Sequence, residues 1–369
     1  MKSININIQP PERLMFNAFM MLFIIHGVQT GVGLLGLPRL LYSFVEQDGW
    51  IVLPFTGIFI AIIIWSMIGT LKQYKSADLY GIQADVFGSF LGTLINLLYI
   101  LYLLLISFVL VMNYTEIIQT WLFQQIPGWL PVVLLMFLSI YAVLGGIRVV
   151  VGISLFSVLL TFWLIFMLYS PMQYIESTRY FPLWNHSILD MGKAIYKTSF
   201  SILGIETLYF FYPYIRDKEK ALKYTQISSA YTIFVNTLVT AVCIGFFSGE
   251  YLIQTIWPVL TMFSIVRIPN LERFEFIAIA FWMILILPNM CTYLWASTKG
   301  VKRVFGFSQK KTLYAFSLLI FIGSFMIEKR ITMNKVTDIA GMLGFYLTYC
   351  YPLLLFMLVK WKKRKKGKK

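Results

Sequence analysis

The residues best placed to do chemistry are few, and most of them are glycines. Glu206 lies in Ser199-Phe-Ser-Ile-Leu-Gly-Ile-Glu-Thr207, near the centre of an apolar segment that runs on to Pro213. A carboxyl at that depth marks a functional site, because a charge in hydrocarbon must be neutralised, capped or paired. A second stretch, Gln29-Thr-Gly-Val-Gly-Leu-Leu-Gly-Leu-Pro38, crowds Gly31, Gly33, Gly36 and Pro38 into the middle of another apolar segment. Glycine costs about 1 kcal/mol against alanine inside a helix, and proline deletes a hydrogen bond and clashes with the previous turn. Together these residues predict local unwinding. N–H groups at the start of the second half, around Gly33 to Gly36, then form the positive end of a helix dipole and can hold a carboxylate without a basic side chain. Carbonyls near Gln29 to Gly31 and near Ile202 to Gly204 point the other way and would accept from an ammonium or coordinate a cation. Such ends suit a zwitterionic amino acid. The glycines also have a plainer reading, as small residues that let helices pack closely. For Glu206 three offsets stay open: protonation, capping of N–H groups at the break, or pairing with a cation or a ligand ammonium.

The elements that position these residues must be membrane helices. Of 369 residues, 59% are hydrophobic and 13% charged, and the mean hydropathy is +0.76. A soluble domain lies nearer half apolar and a quarter charged, so this balance excludes a water-soluble enzyme. Apolar runs fall at about 14–42, 51–71, 91–121, 130–147, 149–170, 192–214, 224–248, 274–298, 312–327 and 337–360. They predict an all-α integral membrane protein of about ten transmembrane helices, a single polytopic domain over residues 1–369. Runs four and five are split only by the tight turn Gly145-Gly-Ile-Arg148. Broken helices at positions one and six divide the spans into two sets of five, about 14–170 and 192–360. This is the pattern of inverted repeats with a ligand site at the membrane midplane between them.

An even number of spans returns both termini to one side. If that side is the cytoplasm, it holds 22 of the 31 Lys and Arg residues, which satisfies the positive-inside rule. The net charge of +15 therefore needs no nucleic acid to explain it. The basic tail, 360–369, follows a helix directly and reads as an anchor on anionic lipid, each basic residue contributing about 1 kcal/mol there. Docking to an acidic partner surface is its other reading. The longest outward loop, about 249–273, carries Trp257-Pro258 and Ile268-Pro269 and is expected to lie on or dip into the membrane surface. Cys243, Cys291 and Cys350 sit in apolar runs without paired spacing and read as small buried hydrophobes. The first apolar segment lacks the pattern of a cleaved signal and is expected to stay in the mature protein. No Ser/His/Asp set, P-loop or metal-ligand cluster is visible, so neither an enzyme nor a cofactor or metal is expected.

Four segments carry a family resemblance: Gly31-Val-Gly-Leu-Leu-Gly-Leu-Pro-Arg39, Leu203-Gly-Ile-Glu206 ahead of the basic loop Arg216 to Lys223, Ile256-Trp-Pro258 followed by Leu271-Glu-Arg-Phe-Glu275, and the basic loop ending in Gly300-Val-Lys-Arg-Val-Phe-Gly306. They resemble the B subunits of spore germinant receptors over nearly the full length. The Trp-Pro and Glu-Arg-Phe-Glu elements are more specific than the glycine run, which many amino-acid permeases share. The resemblance implies a branch of the amino acid, polyamine and organocation transporters with the LeuT-type fold of five plus five inverted repeats. It also implies a nutrient-sensing subunit in the inner membrane of an endospore, working with an A subunit and a lipoprotein C subunit.

Carried over position by position, the resemblance walls a nutrient site with Thr30, Gly31 and Gly33 on helix one and Leu203, Gly204 and Glu206 on helix six. Tyr102 and Ile106 on helix three, and Asn289 and Tyr293 on helix eight, lie one turn apart in each pair and so share a face across the breaks. Tyr102 and Tyr293 also have a reading as core or interfacial aromatics among 22 tyrosines. Asn289 follows Pro288, which would reshape the pocket. His26 is either a hydrogen-bonded structural histidine or a proton-coupling group. Glu116 is expected at the outer interface, and Glu272, Arg273 and Glu275 form either a solvated charge cluster or the seat of an outer gate or partner. The rival function is a freestanding amino-acid permease. It shares fold and site, but must carry its substrate through, whereas a receptor need only shift a population that its partners read.

Overall fold

A chain in lipid must satisfy its backbone internally, so long apolar runs become helices. The computed structural model describes residues 4–267, 273–327 and 329–366, and among them ten helical crossings follow one another. The first is split into α1 (Met21–Gln29) and α2 (Gly33–Val45). The next three are α3 (Gly49–Lys72), α4 (Leu79–Ile117) and α5 (Trp129–Leu144). The fifth runs from α6 (Ile147–Thr161) through a 3-10 stretch, Phe162–Leu168, into α7 (Tyr169–Met172). The sixth is α8 (Ile188–Thr198), a 3-10 turn over Ser199–Ile202, a break, a second 3-10 turn over Ile205–Thr207, and α9 (Leu208–Phe211). After α10 (Ala221–Phe246), two short helices, α11 (Gly249–Gln254) and α12 (Pro258–Phe263), fold over the bundle. The last three crossings are α13 (Phe274–Phe305), α14 (Gln309–Met326), and α15 (Arg330–Gly344) continued through a π turn, Phe345–Cys350, into α16 (Tyr351–Lys366). Six helical stretches are long and apolar enough to cross a membrane on those grounds alone, and Ala18–Gln29 and Trp129–Leu144 are shorter apolar helices.

The expected turn between spans four and five is present, with Gly146 at φ 84°. A second left-handed glycine, Gly88 at φ 81°, bends α4, so the turns before it lie apart from the crossing itself. Helix α4 packs along α13, and α3 along α10, while α1 is enclosed by α6, α10 and α13. The broken first span therefore runs through the centre of the molecule.

Both termini lie on one face, here called the terminal face, and the opposite one is the far face. Residues 4–20 form a strap across the terminal face. Phe16 accepts from Arg216 N–H and donates to the Tyr214 carbonyl, both at 3.0 Å. The carbonyls of Asn5, Glu12 and Arg13 accept from Arg303 (2.8 Å), Arg216 (3.3 Å) and Arg148 (3.2 Å). Ala18 N–H donates to Asp217 at 2.6 Å.

Two expectations are corrected here. The unwinding does not extend over the whole glycine run: Gly36 and Pro38 are inside α2, and a Cβ on Gly36 would meet Ile256 and Trp257 only at ordinary contact distances. In the 249–273 loop, Leu252, Pro258, Val259, Leu260, Met262 and Phe263 are buried and α12 packs on α2, while Tyr251 and Ile253 are exposed. Ile268, Pro269, Leu271 and Glu272 are outside the described residues, as is the end of the basic tail. Cys350 is exposed on the outside of the bundle, where lipid rather than protein covers an apolar side chain, while Cys243 and Cys291 are buried.

Candidate functional site

The interruptions in spans one and six meet at the centre of the bundle. Span one leaves helical geometry at Thr30 (φ −101°, ψ 104°) and resumes at Gly33. Span six opens at Leu203 (ψ 157°) and Gly204, whose φ of 137° is one that L side chains rarely adopt. A Cβ on Gly204 would also stand 2.9 Å from the Gln29 nitrogen, so the two backbones are pressed together there. At Gly33 a Cβ would stand 2.7 Å from Ser201 Cα. Gly31 differs: its nearest neighbour would be Leu110 Cδ2 at 3.7 Å, which is ordinary contact.

Glu206 is fully buried and braces the break. Its Oε2 accepts from Gly204 N–H at 2.8 Å, closing the strained turn from two residues away. Its Oε1 accepts from Tyr293 at 2.9 Å and from Tyr102 at 3.4 Å, and the Tyr102 hydroxyl also lies 3.2 Å from Thr348 Oγ1 on span ten. Of the three offsets open in sequence, capping is the geometry observed. Each hydrogen bond to a charged group is worth about 1.5–3 kcal/mol, so three donors are of the same order as the several kcal/mol needed to desolvate a carboxylate. Spans three, six, eight and ten thus converge on one side chain.

Several of the carbonyls expected to be free, those of Thr30, Gly31 and Ile202, are not. Asn289 Nδ2 donates to Gly27 (2.8 Å), Thr30 (3.1 Å) and Leu285 (3.3 Å), and Trp282 Nε1 donates to Gly31 at 3.3 Å. Ile202 accepts from Gln29 Nε2 at 3.3 Å and from Tyr349 at 3.1 Å. Leaving such groups bare in the core would cost more than supplying donors from neighbouring helices, and the neighbouring helices supply them. Asn289 is therefore a brace for the end of α1. Leu203 does not face the site: its side chain lies against Gly344 of α15, close enough that a Cβ there would come within 2.6 Å. Ile106 is buried, as predicted for an inward face of α4. The Thr30 hydroxyl lies 3.3 Å from His26 Nδ1, which is 2.9 Å from Thr232 Oγ1, so His26 is hydrogen-bonded within the protein.

Gln29, Trp282, Thr348 and Tyr349 were not singled out from sequence. Trp282 lies two turns before Asn289 on the same face of α13, and extending that face would have found it. The span-ten residues follow from the π turn, which leaves no mark in composition.

Toward the far face a cavity of about 390 Å³ opens over the break, lined at its inner end by Gly33 and Ser201 and along its walls by Asn113, Trp257 and Thr337. Ser201 is only 8% exposed, and its hydroxyl has no hydrogen-bond partner among the described residues. No side chain caps the start of α2. Uncapped N–H groups beside a free hydroxyl, at the closed end of a solvent-reached funnel, can receive a carboxylate. Elsewhere on the far face, Arg273 Nε donates to Glu275 at 2.9 Å and its guanidinium stacks 3.7 Å from the Phe276 ring.

Comparison with known proteins agrees with this architecture. Residues 15–333 match the family model described as spore germination protein (spore permease). The chain is 33% identical over 350 residues to spore germination protein GerQB of Bacillus cereus, covering 95% of this chain and 97% of that one. It is 23% identical to spore germination protein A2 of Bacillus subtilis (strain 168), covering 96% and 98% respectively. Among solved structures, the nucleobase–cation symport-1 family transporter Mhp1, in a closed conformation with bromovinylhydantoin bound, superposes with a TM-score of 0.66 at 11% identity, over 96% of this chain and 82% of that one. That likeness supports the LeuT-type fold. With a family match over most of its length and a relative above 30% identity, the chain belongs to the spore germination protein family of permease-like integral membrane proteins.

Proposed function

We propose that this protein is the nutrient-sensing membrane subunit of a spore germinant receptor, seated in the inner spore membrane with both termini on the cytoplasmic, core side. A small zwitterionic nutrient, most simply an amino acid, binds where the breaks of spans one and six meet. Its carboxylate lies against the start of α2 and Ser201, at the inner end of the cavity. The observation that carries this reading is the bare, uncapped N-terminus of α2 at the end of a funnel open to the far face. Thr30, Gly31, Gly33, Gly204, Glu206, Tyr102 and Tyr293 hold the shape of the site, and the two sets of five spans move against one another about it. Binding shifts a conformational population, which A- and C-type receptor subunits read; the basic tail holds the last helix against anionic lipid.

The test is deletion in a spore former, followed by a nutrient panel scored for germination. Loss of response to one nutrient or a small set, restored by the wild-type gene, is the expected outcome. Normal germination with lost amino-acid uptake would overturn it in favour of a freestanding permease.

A further inference from the structure

The wall of the far-face cavity contains a charge pair that the site at the break does not use. Arg330, at the start of α15, lies 3.1 Å from Glu116 near the end of α4. Both also line a neighbouring cavity of about 440 Å³, where they are the only charged residues among the described ones, so the pair stands between two solvent-reached spaces. Arg39 on α2 lines the first cavity as well, bonded through Nε to the Ile253 carbonyl at 2.7 Å. Among the described residues the funnel thus carries two guanidinium groups against one carboxylate. The Arg330 side chain is 44% exposed and that of Glu116 21%. A pair this wet adds little to stability, and its partners exchange readily with solutes. Deeper in the same funnel lie the hydroxyl of the largely buried Ser201 and the uncapped start of α2.

We propose that the far-face vestibule is a carboxylate-binding subsite in which Arg330 is the anchoring residue and Glu116 the resident carboxylate that an incoming one replaces. A guanidinium presents donors in a fork that matches a carboxylate, and Arg330 meets Glu116 through Nε at 3.1 Å. A zwitterion drawn in by its carboxylate reaches the funnel ahead of α2, and Arg39 keeps the potential positive along the way. Exchange of one carboxylate for another leaves Arg330 paired throughout, while the released Glu116 carboxylate faces the neighbouring cavity that it also lines. The proposal rests on the reading of the break as a nutrient site only for the direction of travel.

The experiment measures thiol reactivity without any nutrient. Asn334, exposed and lining the vestibule, is replaced by cysteine in a Cys350→Ser background, in membranes. Modification rates are compared for negatively charged sulfonatoethyl and positively charged trimethylammonioethyl methanethiosulfonate, each divided by the rate with the neutral methyl reagent, which absorbs any change in access or packing. The anion-to-cation ratio, referred to a small free thiol, should exceed one. It should rise about threefold in Glu116→Gln and fall about threefold in Arg330→Gln, the size of a half-exposed charge interaction. Acetate, but not acetamide at equal ionic strength, should slow the anionic reagent in the Glu116→Gln protein. A faster cationic reagent, a ratio unmoved by both substitutions, or no protection by acetate would overturn the subsite. Because germination plays no part, this result and the deletion phenotype stand or fall separately.

Discussion

At the terminal face, Arg303 donates twice to Asp78, at 3.0 and 2.8 Å, and a third time to the Asn5 carbonyl, and the two charged side chains are 13% and 3% exposed. At the far face the corresponding pair, Arg330 and Glu116, makes one contact and stands between open cavities. Removing one partner of a buried pair strands a charge and costs about 3–5 kcal/mol, whereas an exposed pair is worth about 0–1 kcal/mol. The Asp78 carboxylate also accepts from Gly81 N–H at 2.9 Å, capping α4, so the terminal-face lock and the first turns of α4 are one structure. This state is thus shut by strong contacts on the side of the termini and guarded by weak ones on the other. Reaching the opposite arrangement means breaking the costly set first, and a ligand can drive that only through differential affinity for the two states.

Filling the point where the open side ends should have the largest effect. A leucine at Gly33 must displace the Ser201 backbone, and we expect Gly33→Leu to abolish the nutrient response while protein still accumulates in the membrane; Gly31→Ala, with ordinary contact distances, should respond normally. Equal damage from both would mean that the break tolerates nothing anywhere and that the funnel's end is not special. Next, Asp78→Ala should destabilise the protein by about 3–5 kcal/mol, seen as a lower thermal midpoint, and should expose a cysteine placed at Ser76 to aqueous reagents. An unchanged midpoint would show that the terminal face is held by the strap alone.

Glu206 joins the two halves of the comparison, and its substitutions rank below these. Glu206→Ala strands Gly204 N–H and the Tyr293 hydroxyl, each at about 1–3 kcal/mol, while Tyr102 keeps Thr348, and should reduce assembly or lock one state. Glu206→Gln keeps an acceptor oxygen and should be tolerated far better. Protein level and germination measured side by side decide it: if Gln is as damaging as Ala, the negative charge itself is required. Smallest of all, Glu116→Gln should move the thermal midpoint by no more than about 1 kcal/mol in equivalent stability. A larger loss would make the far-face pair structural and erase the contrast with Asp78.

The ten spans and both breaks were legible because apolar length and glycine clusters are local properties. The meeting of Tyr102, Glu206 and Tyr293 was partly legible, since one-turn spacing on helices three and eight predicts shared faces. What escaped was which donor relieves which carbonyl. Asn289 serves Gly27 and Thr30 from more than 250 residues away, a pairing set by the rotation of α13 about its axis, and no periodicity fixes that angle. Span ten adds a further obstacle. Its π turn brings both Thr348 and the adjacent Tyr349 into the core, which an α-helical face does not anticipate. Leu203 was misassigned because at an extended residue the helical rule for direction fails.

The strap across the terminal face has a consequence in time. Its contacts join Asn5 to Arg303, 298 residues apart, and Glu12 to Arg216, 204 apart. At about 5–20 residues per second, the ribosome needs roughly 15–60 s after making Asn5 before the arginine that captures it exists. The segment made first is therefore among the last to be placed. During biosynthesis the terminal side stays unlatched while the later spans are inserted, and the latch closes only on a chain whose eighth span is already in position. Because the strap is gripped largely by its carbonyls, closure reports the arrival of Arg216 and Arg303 more than the identity of the residues being held.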